Sequence, residues 1–448
     1  MPGDGLPSLP AELVLRIAEY LEYVDLLPLT AVSSRFRECL LPMVFRTIRV
    51  SNDEQSANFA LLMAKKYGRH INELHFEGFA SPADDIVTIL DRSNRSGLSR
   101  TSTLPDATKQ LLGGHYLPNV SHARIQFMFD FNSEDWLTQE AGALPGFYDF
   151  DAVEWESQTE ECESRWHWRS LMSETWLALA KNDSIRSLNV VDLVPRPVTA
   201  FRRAEFQNFL GRLKTVEMSV WGADKGAGWL SRTLPGYLLF TSQLHDFFFS
   251  NLVEVTKLTL RASPTGLPGL QAQLHGTLGL RSRDMPNLRR LHLQNVFIGH
   301  ELVRFLSARC QTLESLVLDH CLCSPKESVH RSRAKDGVSW ATVFRALHES
   351  DTRLSQLEIR PKHATFTQDQ YREVIHDRGL HDEHKMAKHI DRCLQADATV
   401  RVFGYGDVYE SESTPRHDSQ MNVKAFLRGE DMDEYRKLMT AVEHNAMR

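Results

Sequence analysis

"LRRLHL", residues 288–293, carries leucines at the first, fourth and sixth positions of a six-residue window. Its last two leucines alternate with polar residues, as the side chains of a half-buried strand do. The same L-x-x-L-x-L spacing returns in "LESLVL" at 313–318, "VTKLTL" at 255–260 and "LSQLEI" at 354–359. Looser copies are "INELHF" at 71–76, "IRSLNV" at 185–190 and "LKTVEM" at 213–218. In chain order their starts lie 114, 28, 42, 33, 25 and 41 residues apart, and helical candidates such as "HELVRFLSARC" (300–310) fall between them. A single strand with its return segment cannot bury its own leucines, whereas stacked neighbours bury one another's. The spacing predicts an α/β chain built as an irregular solenoid, with insertions where the step is long. An ordinary α/β domain with the pattern at its strand starts is the competing reading.

The pattern resembles the leucine-rich repeat, and the 25- and 28-residue steps fit that family. The asparagine the family places three residues after the last leucine is replaced here by Ser263, Val296 and Cys321, so the repeats are divergent. The resemblance puts the intervening strand side chains on one inner face. Those side chains are Lys257, Thr259 and Arg261; Arg290, His292 and Gln294; Ser315, Val317 and Asp319; Gln356, Glu358 and Arg360. The face is polar and of mixed sign, which suits a protein target better than an apolar ligand. Its candidate target-binding residues are Lys257, Arg261, Arg290, His292, Asp319, Glu358 and Arg360.

A different pattern fills "SLPAELVLRIAEYLEYVDLLPLTAVSSRFREC", residues 8–39. Pro10 and Glu12 suit the start of a helix. Leu13, Ile17 and Leu21 then recur at i, i+4, i+8, with Val14 and Ala18 widening the stripe. Asp25 can cap a second helix with Pro28 in its first turn. Ser33 can cap a third that carries Phe36 and Leu40, and Pro42 discourages its continuation. The following "VFRTIRV" (44–50) alternates like a strand. Three helices in so few residues are at or below the size that folds unaided, so their apolar surface needs a neighbour. Either they cap the repeat stack or they hold a partner.

Leu9-Pro10-Ala11-Glu12, Ile17, Leu21, Asp25-Leu26, Leu29, Val32-Ser33, Arg35-Phe36-Arg37 and Leu40 resemble the F-box pattern in order and spacing. Phe36 replaces the family's usual tryptophan. The resemblance implies a Skp-type adaptor as partner and, through it, a cullin-based ubiquitin ligase. By motif position the adaptor-contacting residues would be Leu9, Pro10, Ile17, Leu21, Leu26, Leu29 and Val32. The implied organisation is an F-box at 6–48, a leucine-rich body at 49–362 and a C-terminal capping region at 363–448. The implied function is non-catalytic: substrate recognition in a Skp–cullin–F-box ligase. The alternatives are an adaptor-bound scaffold outside a ligase, or a self-contained repeat protein with a helical cap.

Apolar residues make up 42% of the 448-residue chain and charged residues 25%, values that support a sizeable core. The net charge of −6 offers no general attraction to nucleic acid or to an anionic membrane. No signal peptide, membrane span or lipidation box is expected, and the six cysteines read as reduced thiols of the cytoplasm or nucleus. Residues 130–163 hold 11 acidic residues and no lysine or arginine. Five of the eight tryptophans (Trp136, Trp155, Trp166, Trp168, Trp176) lie in or just after them, marking an ordered insertion with buried rings and solvated carboxylates. "SNRSGLSRTST" (93–103) and "SPKESVHRSRAKDG" (324–337) read as polar loops.

No metal or cofactor is expected. His376, His381, His384, His389 and Cys393 match no zinc spacing, and His320, Cys321 and Cys323 fall at a strand end, where buried thiols are ordinary packing. "GADKGAG" (222–228) lacks the ending of a phosphate loop, and "FGYGDVY" (403–409) lacks the third glycine of a dinucleotide turn.

Overall fold

In every L-x-x-L-x-L copy a strand begins at the third position, and the fourth and sixth positions point inward from it. The computed structural model describes residues 9–80, 103–129, 156–220, 235–262, 269, 278–324, 337–362, 364, 381–408 and 415–448. The chain divides into two compact units, Met1–Phe129 with Cys162–Asn189, and Asp130–Glu161 with Val190–Arg448.

The first unit opens with three helices, α1 (Ala11–Ala18), α2 (Tyr23–Val32) and α3 (Ser34–Val44). There follow β1 (Thr47–Ser51), α4 (Glu54–Tyr67), β2 (Glu73–Ala80), α5 (Asp106–Leu112) and β3 (His122–Phe129). Beyond α6 (Glu156–Arg165) come α7 (His167–Ala180) and the start of β4 (Ser187–Leu193). β1, β2 and β3 pair in parallel, Thr47 opposite Glu73 and Glu73 opposite His122. The N–H groups of Arg186 and Ser187 donate to the Ser121 carbonyl and bring β4 in beside β3.

In the second unit β4 is followed by α8 (Ala204–Gly211), β5 (Thr215–Val220), α9 (Pro235–Ser242), α10 (Leu244–Phe247), β6 (Lys257–Arg261) and β7 (Arg290–Gln294). Then come β8 (Phe297–Ile298), α11 (His300–Arg309), β9 (Ser315–Asp319), β10 (Leu322–Cys323), α12 (Trp340–Glu349) and β11 (Gln356–Arg360). β5, β6, β7, β9 and β11 pair in parallel in that order, with Lys257 opposite Thr215 and Arg290, and Ser315 opposite Arg290 and Gln356. α13 (His381–Ala396), the hairpin of β12 (Gly406–Val408) and β13 (Pro415–His417), α14 (Ser419–Arg428) and α15 (Glu430–Ala446) complete it.

In all seven copies the first, fourth and sixth positions are buried, except Leu357, which is half-buried. Two further strands carry the same phase: β1, where the alternation of 44–50 predicts a strand, and β3, which the leucine spacing does not predict. Val120, Ala123 and Ile125 lead into β3, inside the 114-residue… interval between Ile71 and Ile185. Phe45, Ile48 and Val50 lead into β1. An alanine in the fourth place and a phenylalanine in the first hide these two from a search for leucines.

Parallel strands must end cleanly for the chain to turn into its return segment. Asp192, Asn295 and His320, each two residues after the sixth position, adopt left-handed backbone with φ of 53°, 57° and 50°. Asn, Asp and His tolerate that conformation better than most residues. Asn295 is buried and its Nδ2 donates to the Ala262 carbonyl at 2.8 Å. An asparagine thus does close β7, one residue earlier than the family spacing places it. Cys321 sits where the asparagine was expected after β9, and its thiol donates to the Leu293 carbonyl at 3.4 Å. Burial pushes the Cys321 thiol up to about 12, so it acts as a packed donor and not as a reactive thiolate.

The helix starts differ in detail from the sequence reading. α2 begins at Tyr23, so Asp25 lies in its first turn, and Pro28 sits inside the helix. The bond that Pro28 forgoes would end on the carbonyl of the exposed Val24, where water can replace it. α3 runs two residues past Pro42, to Val44, and Ser33 caps it by accepting from the Phe36 N–H at 3.1 Å.

The end of the chain folds onto α12 through buried polar contacts. Asp431 accepts from the Ala341 N–H at 2.8 Å and from the Tyr405 hydroxyl at 2.8 Å, while Trp340 Nε1 donates to the Gly404 carbonyl at 2.8 Å. Phe344 meets Phe403 edge-on with centroids 5.0 Å apart, and both rings pack at an angle against Tyr435. Of the acidic block, Trp136 and Trp155 lie outside the described residues. Trp166, Trp168 and Trp176 are buried, Trp176 edge-on to Phe127 at 6.1 Å. "GADKGAG", His376 and nearly all of the two polar loops also lie outside the described residues.

Candidate functional site

Two surfaces stand out, one in each unit. The first belongs to the N-terminal helices. Their core is Val14, Ala18, Leu26, Phe36, Leu40 and Val44, with Leu9, Leu21 and Leu29 packed partly against it. Arg35 Nη2 donates to the Leu9 carbonyl at 2.7 Å and Arg37 Nε to the Thr30 carbonyl at 3.2 Å, tying the entry of α1 and the end of α2 to α3. On α1 the inward stripe is Val14 and Ala18, one residue after Leu13 and Ile17, which face outward.

The candidate adaptor residues therefore fall into three groups. Leu26 is a core residue, 5% exposed. Leu9, Leu21 and Leu29 are half-buried, each sharing its side chain between the core and the surface. Pro10, Ile17 and Val32 are exposed, Ile17 at 45% and Val32 at 64%. Leu13, Leu15, Tyr20, Val24 and Leu27 are exposed as well, and of these the sequence pattern names only Leu13, as part of the α1 stripe. Among the described residues, seven of the fifteen exposed large apolar side chains lie between Leu13 and Val32. That concentration is what marks a protein-binding face in place of scattered surface leucines.

The sequence comparison agrees with this geometry: the F-box-like family model matches residues 6–50. Residues 6–50 are an F-box-like domain. Such a domain implies protein–protein interaction, usually with a Skp-type adaptor. A search of the curated proteins finds no match.

The second surface is the polar face of β5, β6, β7, β9 and β11. The pairing aligns Thr259, His292, Val317 and Glu358 in one row and Arg261, Gln294, Asp319 and Arg360 in the next. All seven candidate target-binding residues lie on this face: Lys257 and Arg290 in the first row, His292 and Glu358 in the second, Arg261, Asp319 and Arg360 in the third. Glu217 of β5, absent from the sequence reading, faces Lys257 Nζ at 3.4 Å and Arg261 Nη2 at 3.9 Å. Arg360 Nη2 donates to Glu358 Oε2 at 2.8 Å, and the paired guanidinium holds the Glu358 carboxyl below its ordinary range. Asp319 reaches His320 Nδ1 at 2.7 Å and His292 Nε2 at 3.9 Å. Burial lowers the pKa of His292 from 6.5 despite the nearby Asp319 carboxylate, so the ring is neutral at neutral pH. The face is a lattice of paired charges with exposed guanidiniums, able to exchange its internal pairs for those of a partner.

His389 Nε2 and Cys393 Sγ lie 3.7 Å apart, one turn apart on α13. Among the described residues no three His, Cys, Asp or Glu groups gather as metal ligands. All six cysteines are free. No helix among the described residues is long and apolar enough to cross a membrane.

Proposed function

We propose that this chain is the substrate-recognition subunit of a Skp–cullin–F-box ubiquitin ligase in the cytoplasm or nucleus. The observation that carries the reading is the exposed apolar face of the F-box-like domain, Leu13, Ile17, Val24, Leu27 and Val32, over a core made by other residues. A helical face with spaced apolar anchors fits the groove of an adaptor. Pro10, Ile17 and Val32 contact the adaptor directly, Leu9, Leu21 and Leu29 do so with their outer edges, and Leu26 supports them from the core. The strand–helix body acts as a divergent leucine-rich repeat, and its polar face holds the target protein. Ubiquitin transfer is promoted by proximity, its chemistry residing on other subunits.

The test is capture of a purified Skp-type adaptor by the full chain, followed by addition of cullin. Ile17→Asp with Val32→Asp abolishes capture while leaving the fold intact, because both side chains are exposed. Capture that survives the double substitution contradicts the reading. Adaptor capture without cullin recruitment favours a scaffold outside a ligase. Within cells the same double variant acts as a trap, and proteins enriched on it and depleted by Arg290→Glu are the targets.

A further inference from the structure

A cavity of about 230 Å³ opens in the C-terminal region of the second unit, where α13, residues 400–403, α14 and the start of α15 meet. Much of its lining is apolar, from Val400, Phe403, Ala425, Phe426 and Met432. At its inner wall is Asn422, fully buried. The Asn422 Oδ1 accepts from the Tyr405 N–H at 2.7 Å, which fixes the orientation of the amide. Its Nδ2 is then a buried donor with no hydrogen-bond partner among the described residues. A buried donor left unmet costs about 1–3 kcal/mol, so a site that keeps one invites an acceptor.

The charged groups in the lining are Arg401, Arg436, Asp431 and Asp433. Arg401 uses Nη1 on the Ile359 carbonyl and stacks its guanidinium over Tyr435 at 5.3 Å, which leaves donors to spare. Arg436 is exposed and lies 3.8 Å from Asp433 on its own helix. Both Asp431 oxygens already accept, from Ala341 and Tyr405, and burial makes that carboxyl hold its proton more tightly. What the cavity offers a newcomer is thus one buried amide donor, two guanidiniums and an apolar wall, with the exposed Asp433 carboxylate at 3.8 Å from Arg436 as the group an anion must displace.

We propose that this cavity binds a small organic carboxylate with a flat apolar body, the carboxylate accepting from Asn422 Nδ2 and the Arg401 and Arg436 guanidiniums. The volume suits this class: an apolar cavity of about 150 Å³ takes up benzene, so the space here admits one ring with its carboxylate. Drug-sized ligands occupy larger pockets, of about 300 Å³ and above. None of the lining residues belongs to the F-box-like helices, so the titration is read separately from adaptor binding.

Calorimetric titration of the full chain with benzoate tests the site, with benzamide and acetate as controls. Benzoate binds saturably in the millimolar range or tighter, and benzamide and acetate bind at least about tenfold more weakly, a difference of about 1.4 kcal/mol. Asn422→Asp keeps the acceptor that Tyr405 uses and puts a negative oxygen in place of Nδ2; it loses benzoate binding at least tenfold. Because that change lies in the core, Arg436→Gln is the second variant: exposed and harmless to folding, it weakens benzoate several-fold and leaves benzamide unchanged. Absence of saturable benzoate binding to the wild-type chain overturns the proposal. So does benzamide binding equal to benzoate, or undiminished benzoate binding by Arg436→Gln.

Discussion

The F-box-like helices and the strands of the body are both rich in leucine, yet they place it differently. In the body the first, fourth and sixth positions of every strand copy turn inward, and nearly all are lost to solvent. The opposite face of those strands is polar, with charges paired across neighbouring strands (Lys257–Glu217, His292–Asp319) and within β11 (Arg360–Glu358). In the three helices the core closes with Val14, Ala18, Leu26, Phe36, Leu40 and Val44, and a second set of apolar side chains remains outside. A fold of this size has room for one small core, so the surplus faces a partner. The body hides its leucines to exist; the helices expose theirs to act.

Substitutions break this comparison in a graded order. Leu316→Ala, at a fully buried position of β9, destabilises the chain by about 3 kcal/mol in chemical denaturation, as large-to-small core changes do. Leu26→Ala, in the helical core, costs about 2 kcal/mol and weakens adaptor capture only through loss of folded helices. Ser33→Ala removes the cap of α3 and costs about 1 kcal/mol, read as an earlier loss of helical signal on heating. Ile17→Ala changes stability by less than about 0.5 kcal/mol, since the side chain is outside the core. An Ile17→Ala penalty as large as that of Leu26→Ala would erase the division between the two sets.

The smallest effect concerns pH. His292 faces Asp319 and Glu217, which favour its proton, and Arg261 and Arg360, which oppose it, while burial lowers its pKa below 6.5. The unfolded chain takes up that proton at about pH 6.5, before the folded chain does. His292 therefore contributes stability above pH 6.5 that is lost as the pH falls through 6.5 towards the folded value. His75 of β2 is lowered in the same direction, again chiefly by burial. His292→Gln flattens this part of the stability profile between pH 7 and pH 5, and an unchanged slope contradicts the assignment.

Much of this organisation is legible in the residues. L-x-x-L-x-L reports a strand because its fourth and sixth positions alternate onto one side, while the first lies in the turn just before the strand and is buried there. The strand β3 escaped because Ala123 occupies a leucine place, whereas β1 is legible from the alternation of residues 44–50 although Phe45 hides it from a leucine search. The face of Lys257, Arg261, Arg290, His292, Asp319, Glu358 and Arg360 follows from strand alternation alone. Its partner Glu217 does not, because β5 is written with valine and methionine, and pairing across strands is a tertiary fact. On α1 periodicity located the apolar side but not which flank of it turns inward: Leu13–Ile17 and Val14–Ala18 are adjacent stripes of equal spacing. Only the packing of α3 chooses Val14 and Ala18. The Asn422 cavity has no signature in the residues, since its walls come from segments distant in the chain.

The central claim is that the exposed set on the F-box-like helices is a binding face for a Skp-type adaptor. Its most direct test is the dissociation constant of the full chain for a purified adaptor, measured for wild type and for Ile17→Asp with Val32→Asp. Each anchor at such an interface contributes about 2 kcal/mol, so the account predicts a loss of affinity of about 1,000-fold at unchanged melting temperature. Equal affinity for the two proteins at equal stability would contradict it.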